Sequence, residues 1–191
     1  MDMTLKLFGQ RIAITEVKEE LEGSIILPET RAKSFYMGRV IAVGDGKEKD
    51  GTTKTIWVKI GDLVMFQLIG TQDAASQFVH GGTKVRILHQ GDAIARLNST
   101  KVSLDNFEIL GDWVLAKVDV NTGTSLVLPD SARQPDMFTF KVEQKGAGVE
   151  YDIQKGEEIY PERMRCNPVE IDRVAYAFCA KLDVYGVAKS D

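Results

Sequence analysis

The hexapeptide Ser24-Ile25-Ile26-Leu27-Pro28-Glu29 returns about one hundred residues later as Ser125-Leu126-Val127-Leu128-Pro129-Asp130, each position identical or chemically similar. A chain of 191 residues that repeats itself at that distance builds the same small unit twice. A unit of about 95 residues is large enough for a core of its own. The flanks repeat as well. Gly9-Gln10-Arg11-Ile12-Ala13-Ile14 matches Gly111-Asp112-Trp113-Val114-Leu115-Ala116. Both open strands with a period of two, carried by Ile12 and Ile14 and then by Val114, Ala116 and Val118.

Beyond each hexapeptide a second strand, Gly38 to Val43 or Thr139 to Gln144, runs into a pair of glycines, Gly44-Asp45-Gly46 or Gly146-Ala147-Gly148. A third pair follows, Lys59-Ile60-Gly61-Asp62-Leu63-Val64-Met65-Phe66 and Gln154-Lys155-Gly156-Glu157-Glu158-Ile159-Tyr160-Pro161, each a turn glycine, an acid and a strand. Between the last two landmarks the first copy is seven residues longer. The excess contains Asp50-Gly51, a strong signal for a tight hairpin turn. Repeat one is therefore expected to carry a hairpin over Lys47 to Lys54 that repeat two lacks.

The hexapeptide sits in Glu16 to Ser34, a stretch of charged and small residues too polar to offset its own ordering by burial. A lone Ile-Ile-Leu run in such a place reads as a short buried strand ended by a proline. Its recurrence favours a mobile loop that presents three adjacent apolar side chains to something else.

The run Gly38 to Gly46, then Val58 to Phe66, with an Ile-Ile-Leu-Pro loop upstream, resembles the chaperonin-10 (GroES-like) family of co-chaperonins. The resemblance covers roughly residues 5 to 97 and, more faintly, 108 to 187, and includes Asp92 to Leu97, similar to the family's subunit-joining end. It implies an all-β fold of two tandem GroES-like small β-barrels. One would span residues 1–98, with loop and roof hairpin. The other, divergent and roofless, would span 107–191, with a linker near Asn98 to Asn106. It further implies a co-chaperonin that caps a chaperonin-60 ring in a nucleotide-dependent way and encloses an unfolded client. Ile25, Ile26 and Leu27, and in repeat two Leu126, Val127 and Leu128, would dock on the ring's apical domain. The family forms homo-oligomeric rings, usually sevenfold, which two fused units cannot divide evenly. The terminal strand of repeat two could lie in Val174 to Phe178 or in Leu182 to Val187. The alternative is a scaffolding double barrel that has lost chaperonin binding.

Composition fits this reading. A net charge of −4 gives no basic footprint for nucleic acid, and no apolar run approaches a membrane span, so neither is an expected partner. The start Met1-Asp2-Met3-Thr4-Leu5-Lys6 has neither secretory nor transit character, which points to the cytoplasm, the host's if the origin is viral. Dinucleotide, phosphate-loop, nucleophile-elbow and zinc-protease motifs are missing, so neither catalysis nor a cofactor is expected. Asp45, Asp62, Asp112 and Glu157 lie beside turns and suit turn chemistry rather than acid–base work. Cys166 and Cys179 read as packed thiols, and His80 and His89 as surface histidines. Trp57 and Trp113, in strand-like surroundings, read as core.

Overall fold

The structure is a computed structural model that describes residues 5–17, 25–26, 35–67, 77–99, 103–120 and 138–189. It is all-β, with fourteen strands joined by turns and short 3-10 segments and no α-helix among the described residues. The strands form two separate seven-stranded antiparallel sheets, as two tandem barrels require.

The first sheet is built from β1 (Arg11–Glu16), β3 (Phe35–Val43), β4 (Leu63–Gln67), β5 (Gln77–His80), β6 (Thr83–His89), β7 (Ala93–Leu97) and β8 (Phe107–Ile109). The second contains β9 (Trp113–Val120), β10 (Phe138–Lys145), β11 (Glu158–Pro161), β12 (Asn167–Ile171), β13 (Val174–Ala180), β14 (Val184–Ala188) and β2 (Ile25–Ile26). The orders are β5-β6-β1-β3-β4-β7-β8 and β12-β13-β9-β10-β11-β14, with β2 outside β12. Six strands thus recur in the same order, and each sheet takes its seventh from the other half of the chain.

The duplication extends to irregularities. The β1–β3 ladder slips opposite Ile41, and β9–β10 slips at Glu143, the matching position. The β4–β7 ladder bulges at Ile94, and β11–β14 at Tyr185. Bulges bend strands and raise local twist, so repeated bulges give both sheets the same curl. The glycine pairs serve close approach. A Cβ on Gly44 would lie 2.1 Å from the Gly9 carbonyl oxygen, and one on Gly146 would lie 2.3 Å from that of Gly111. Terminal strand β14 falls in the second of the two stretches left open by the sequence.

Each half has its own interior. Ile12, Ile14, Val40, Val64, Phe66 and Leu88 fill the first, and Val114, Ala116, Val142, Ile153, Ile159 and Ala177 the second. A third cluster lies between them, where Met37, Leu63, Met65 and Leu97 meet Leu115, Val169, Ile171, Tyr176 and Phe178. β13 serves both: Ala177 and Cys179 face their own barrel, while Tyr176 and Phe178 face the other half. Burying a side chain of that size contributes about 1.5 to 3 kcal/mol, so this cluster holds the two halves together.

The cysteines depart from expectation. Cys166 and Cys179 are buried in the second core, but they form a disulfide. The thirteen-residue separation is that of two strands of one hairpin, and the β12–β13 register that pairs Asn167 with Phe178 sets the cysteines directly opposite, Cα atoms 4.6 Å apart. Trp57 also differs: it lies in the irregular stretch before β4 rather than in a strand.

Candidate partner-binding site

The segment joining β1 to β3 carries the first apolar triplet. Its stems are well held. The Val17 N–H donates to the Met37 carbonyl at 3.0 Å, and Phe35 pairs with Gln67 in the β3–β4 ladder. At the end of β1, Glu16 accepts from the guanidinium of Arg86 at 2.7 Å, and Arg86 is 3% exposed. Between the stems, Ile25 and Ile26 form the two-residue β2, which runs antiparallel to β12, with Ile25 opposite Ile171 and Ile26 opposite Glu170. Leu27 lies outside the described residues, as do Leu126, Val127 and Leu128. The segment bearing the second triplet leaves and enters at the equivalent place, after Val120 and before Phe138, which face each other as the last pair of the β9–β10 ladder. The Arg163 guanidinium stacks 3.8 Å from the Phe138 ring. In sequence, each triplet belongs to the first crossing between strands of its own repeat.

The hairpin of repeat one is present. Lys47 bridges Thr53, the Glu48 N–H donates to the Thr52 carbonyl, and Gly51 at the tip adopts φ +86°. Thr52 donates through its N–H and hydroxyl to Asp50, which holds that carboxyl below its ordinary pKa. At the base, Asp45 accepts from the N–H groups of Lys47 and Gly9, and these bonds lower its pKa likewise. Asp62 accepts from the Lys59 N–H and Glu157 from that of Gln154, so these acids do serve turns. Asp112 instead pairs with Lys181 at 3.7 Å.

Gln90 organises the hairpin's root and was not singled out by sequence. It is 1% exposed; its amide N–H groups donate to Gln10 Oε1 and the Thr55 carbonyl, while its Oε1 accepts from the Trp57 N–H. Gln10 in turn donates to Glu48 of the hairpin. The matching position in repeat two is Lys181, whose backbone N–H donates to Asp112 as that of Gln90 does to Gln10. Its ammonium instead reaches the Gly148 carbonyl. Residues 149–157 form no strand there, so a post that supports a hairpin in one half caps a short turn in the other.

Between the halves, Arg96 on β7 reaches Asp62 and also Glu108 on β8; the bond to Glu108 raises its already high pKa most. Trp57 stacks over Gly111, where an added Cβ would fall 2.0 Å from the indole, and Trp113 donates its indole N–H to the Gly91 carbonyl. Both tryptophans pack at the edges of cores. His89 is exposed and its ring accepts from the Gly91 N–H; His80 is half-buried beside Phe78. Among the described residues no group of His, Cys, Asp and Glu could hold a metal ion, and no helix is long and apolar enough to cross a membrane.

A β-sheet unit that occurs twice, with a long crossing between its first two strands and a hairpin in the first copy, defines an all-β protein of tandem small barrels. The family model described as "Chaperonin 10 Kd subunit" matches residues 4–97. Proteins named "Co-chaperonin GroES" from Wolbachia sp. subsp. Brugia malayi and Wolbachia pipientis wMel are each 30% identical over 94 residues, 49% of this chain and 94% of the relative. One from Hydrogenovibrio crunogenus is 32% identical over 96 residues, 49% of this chain and 97% of the relative. The chain belongs to the chaperonin-10 family, which is a family of co-chaperonins. The second half lies outside the family model's match, and its likeness to the first is one of strand order, bulges and motifs.

Proposed function

We propose that this protein is a co-chaperonin that caps a chaperonin-60 ring in a nucleotide-dependent way and assists the folding of an enclosed client in the cytoplasm. The observation that carries it is that the family match spans the segment bearing Ile25, Ile26 and Leu27 together with the hairpin at Lys47 to Lys54. Residues 1–98 act as a chaperonin-10-like barrel with mobile loop and roof. Residues 107–191 act as a divergent, roofless copy, with Leu126, Val127 and Leu128 as its contact triplet.

Three large aliphatic side chains entering an apolar groove gain roughly 5 to 9 kcal/mol before costs. Ordering the loop consumes on the order of 2 to 5 kcal/mol of that, so one loop binds weakly. Several loops carried on one assembly make later contacts intramolecular, which raises avidity while leaving each contact reversible. Weak single contacts suit a cap that must come off again.

The test is client recovery. A chemically unfolded enzyme that needs chaperonin-60, ATP and a cap should regain activity when this protein is the cap. Recovery no better than with chaperonin-60 and ATP alone would refute the folding role.

A further inference from the structure

We propose that the outer edge of β12 is a latch for the repeat-one segment, holding Ile25 and Ile26 in a strand that must open before they can engage a chaperonin. This rests on the reading above that these residues make that contact. Three observations carry it. First, β2 lies antiparallel on β12 at Glu170 and Ile171, whereas β5, which occupies the matching outermost place in the first sheet, has no strand beyond it among the described residues. Second, both stems of the segment already sit against the same hairpin. Val17 and Phe35 pack on the cluster holding Ile171 and Phe178, the Phe35 and Phe178 rings meet edge to face at 5.6 Å, and Gln67 and Asn167 exchange amide bonds at 3.2 Å.

Third, β12 is built as a free edge. Asp172 and Arg173, with φ of 52° and 64°, make a two-residue primed turn, so the flanking Ile171–Val174 pair is hydrogen-bonded. The alternation of antiparallel ladders then makes Cys166–Cys179 a non-hydrogen-bonded pair, in keeping with its 4.6 Å Cα separation. By the same parity, Pro168 and Glu170 turn their backbone groups away from β13 and toward β2. A proline is tolerated only on such an edge. It also removes the donor there, which leaves the Glu170 N–H as the outward donor facing β2.

The variant Glu170→Pro removes the remaining outward donor and leaves every bond to β13 in place. In the free protein, amide exchange at Ile25 and Ile26 should quicken about tenfold while β13 amides keep their protection, which also shows that the variant is folded. Glu170→Gly, which keeps the N–H but loosens the strand, should fall between. Affinity for chaperonin-60 should rise several-fold, because the competent fraction grows. Unchanged exchange at Ile25 and Ile26 overturns the latch whatever the chaperonin does. Faster exchange with unchanged or weaker affinity overturns the competition. A wild-type chain that does not bind chaperonin-60 at all refutes the functional reading instead, and exchange still decides the pairing.

Discussion

Serine at Ile25, Ile26 and Leu27 together is expected to weaken capture by a chaperonin-60 ring by more than about 1000-fold, with folding unaffected. Losing three buried aliphatic side chains removes about 5 kcal/mol or more, and each 1.4 kcal/mol is a factor of ten. The loss multiplies across every loop that engages at once. The segment lies between β1 and β3, and thermal unfolding should stay within a few degrees of wild type. The same change at Leu126, Val127 and Leu128 should leave capture within about tenfold, because repeat one holds the family match and the hairpin. Binding isotherms on the two variants decide between the loops. Loss of capture on the second set and not on the first would invert the assignment.

The second large effect concerns assembly. Inside one chain, β8 adds to the edge of β7 with Ala95 opposite Ile109, Arg96 opposite Glu108 and Leu97 opposite Phe107. The Leu110 N–H then donates to the Ile94 carbonyl, and Leu110 is buried with Val58 and Ala93. β14 holds the place of β7 in the second sheet, paired to β11 in the matching register, but no strand covers its other edge among the described residues. Tyr160 and Tyr185, which match the buried Met65 and Ile94, are 53% and 70% exposed there. Beside them a cavity of about 330 Å³ is lined by Tyr151, Ile153 and Val184 to Val187.

If chains join head to tail, Leu5 to Phe8 would supply the other half of the joint. Leu5 to Phe8 match Phe107 to Leu110 in the repeat, and Phe8 is 63% exposed. A second copy would set Leu7 opposite Gly186 and Phe8 in the cavity, and would bring Lys6 to the acidic Glu157 and Glu158. Such a head-to-tail contact propagates into a ring or a filament. Because each chain supplies one internal joint, the number of barrels is always even. Phe8→Asp with Tyr185→Asp should reduce the assembly to single chains of 21.2 kDa in light scattering. A doubly substituted protein that keeps the wild-type mass would show that the chains join elsewhere.

How far the sequence discloses this arrangement depends on where the physics is local. Glycine pairs, the Asp50-Gly51 turn and the alternation in β1 and β9 are local signals, and each falls where the sequence places it. The joint between halves is not local. Leu115, Tyr176 and Phe178 face away from their own barrel, and a strand apolar on both faces has no period to betray the second one. The disulfide was hidden for the same reason, since spacing alone does not reveal a hairpin register. Strand β14 was ambiguous because Val187 stands where β7 has Arg96, so the charged marker of the terminal strand is lost. Gln90 looked like one polar residue in a turn, and its burial under the hairpin root is set by four distant groups. Of the candidate contact residues, only Ile25 and Ile26 fall among the described residues, and their pairing with β12 crosses the repeat boundary, beyond the reach of a periodicity argument.

The most direct test of the central claim is size-exclusion chromatography of the wild-type protein with a chaperonin-60 ring, run with and without adenine nucleotide. The co-chaperonin reading predicts co-elution that depends on nucleotide. A folded protein that never co-elutes, whatever the nucleotide, would contradict it and make the double barrel a scaffold.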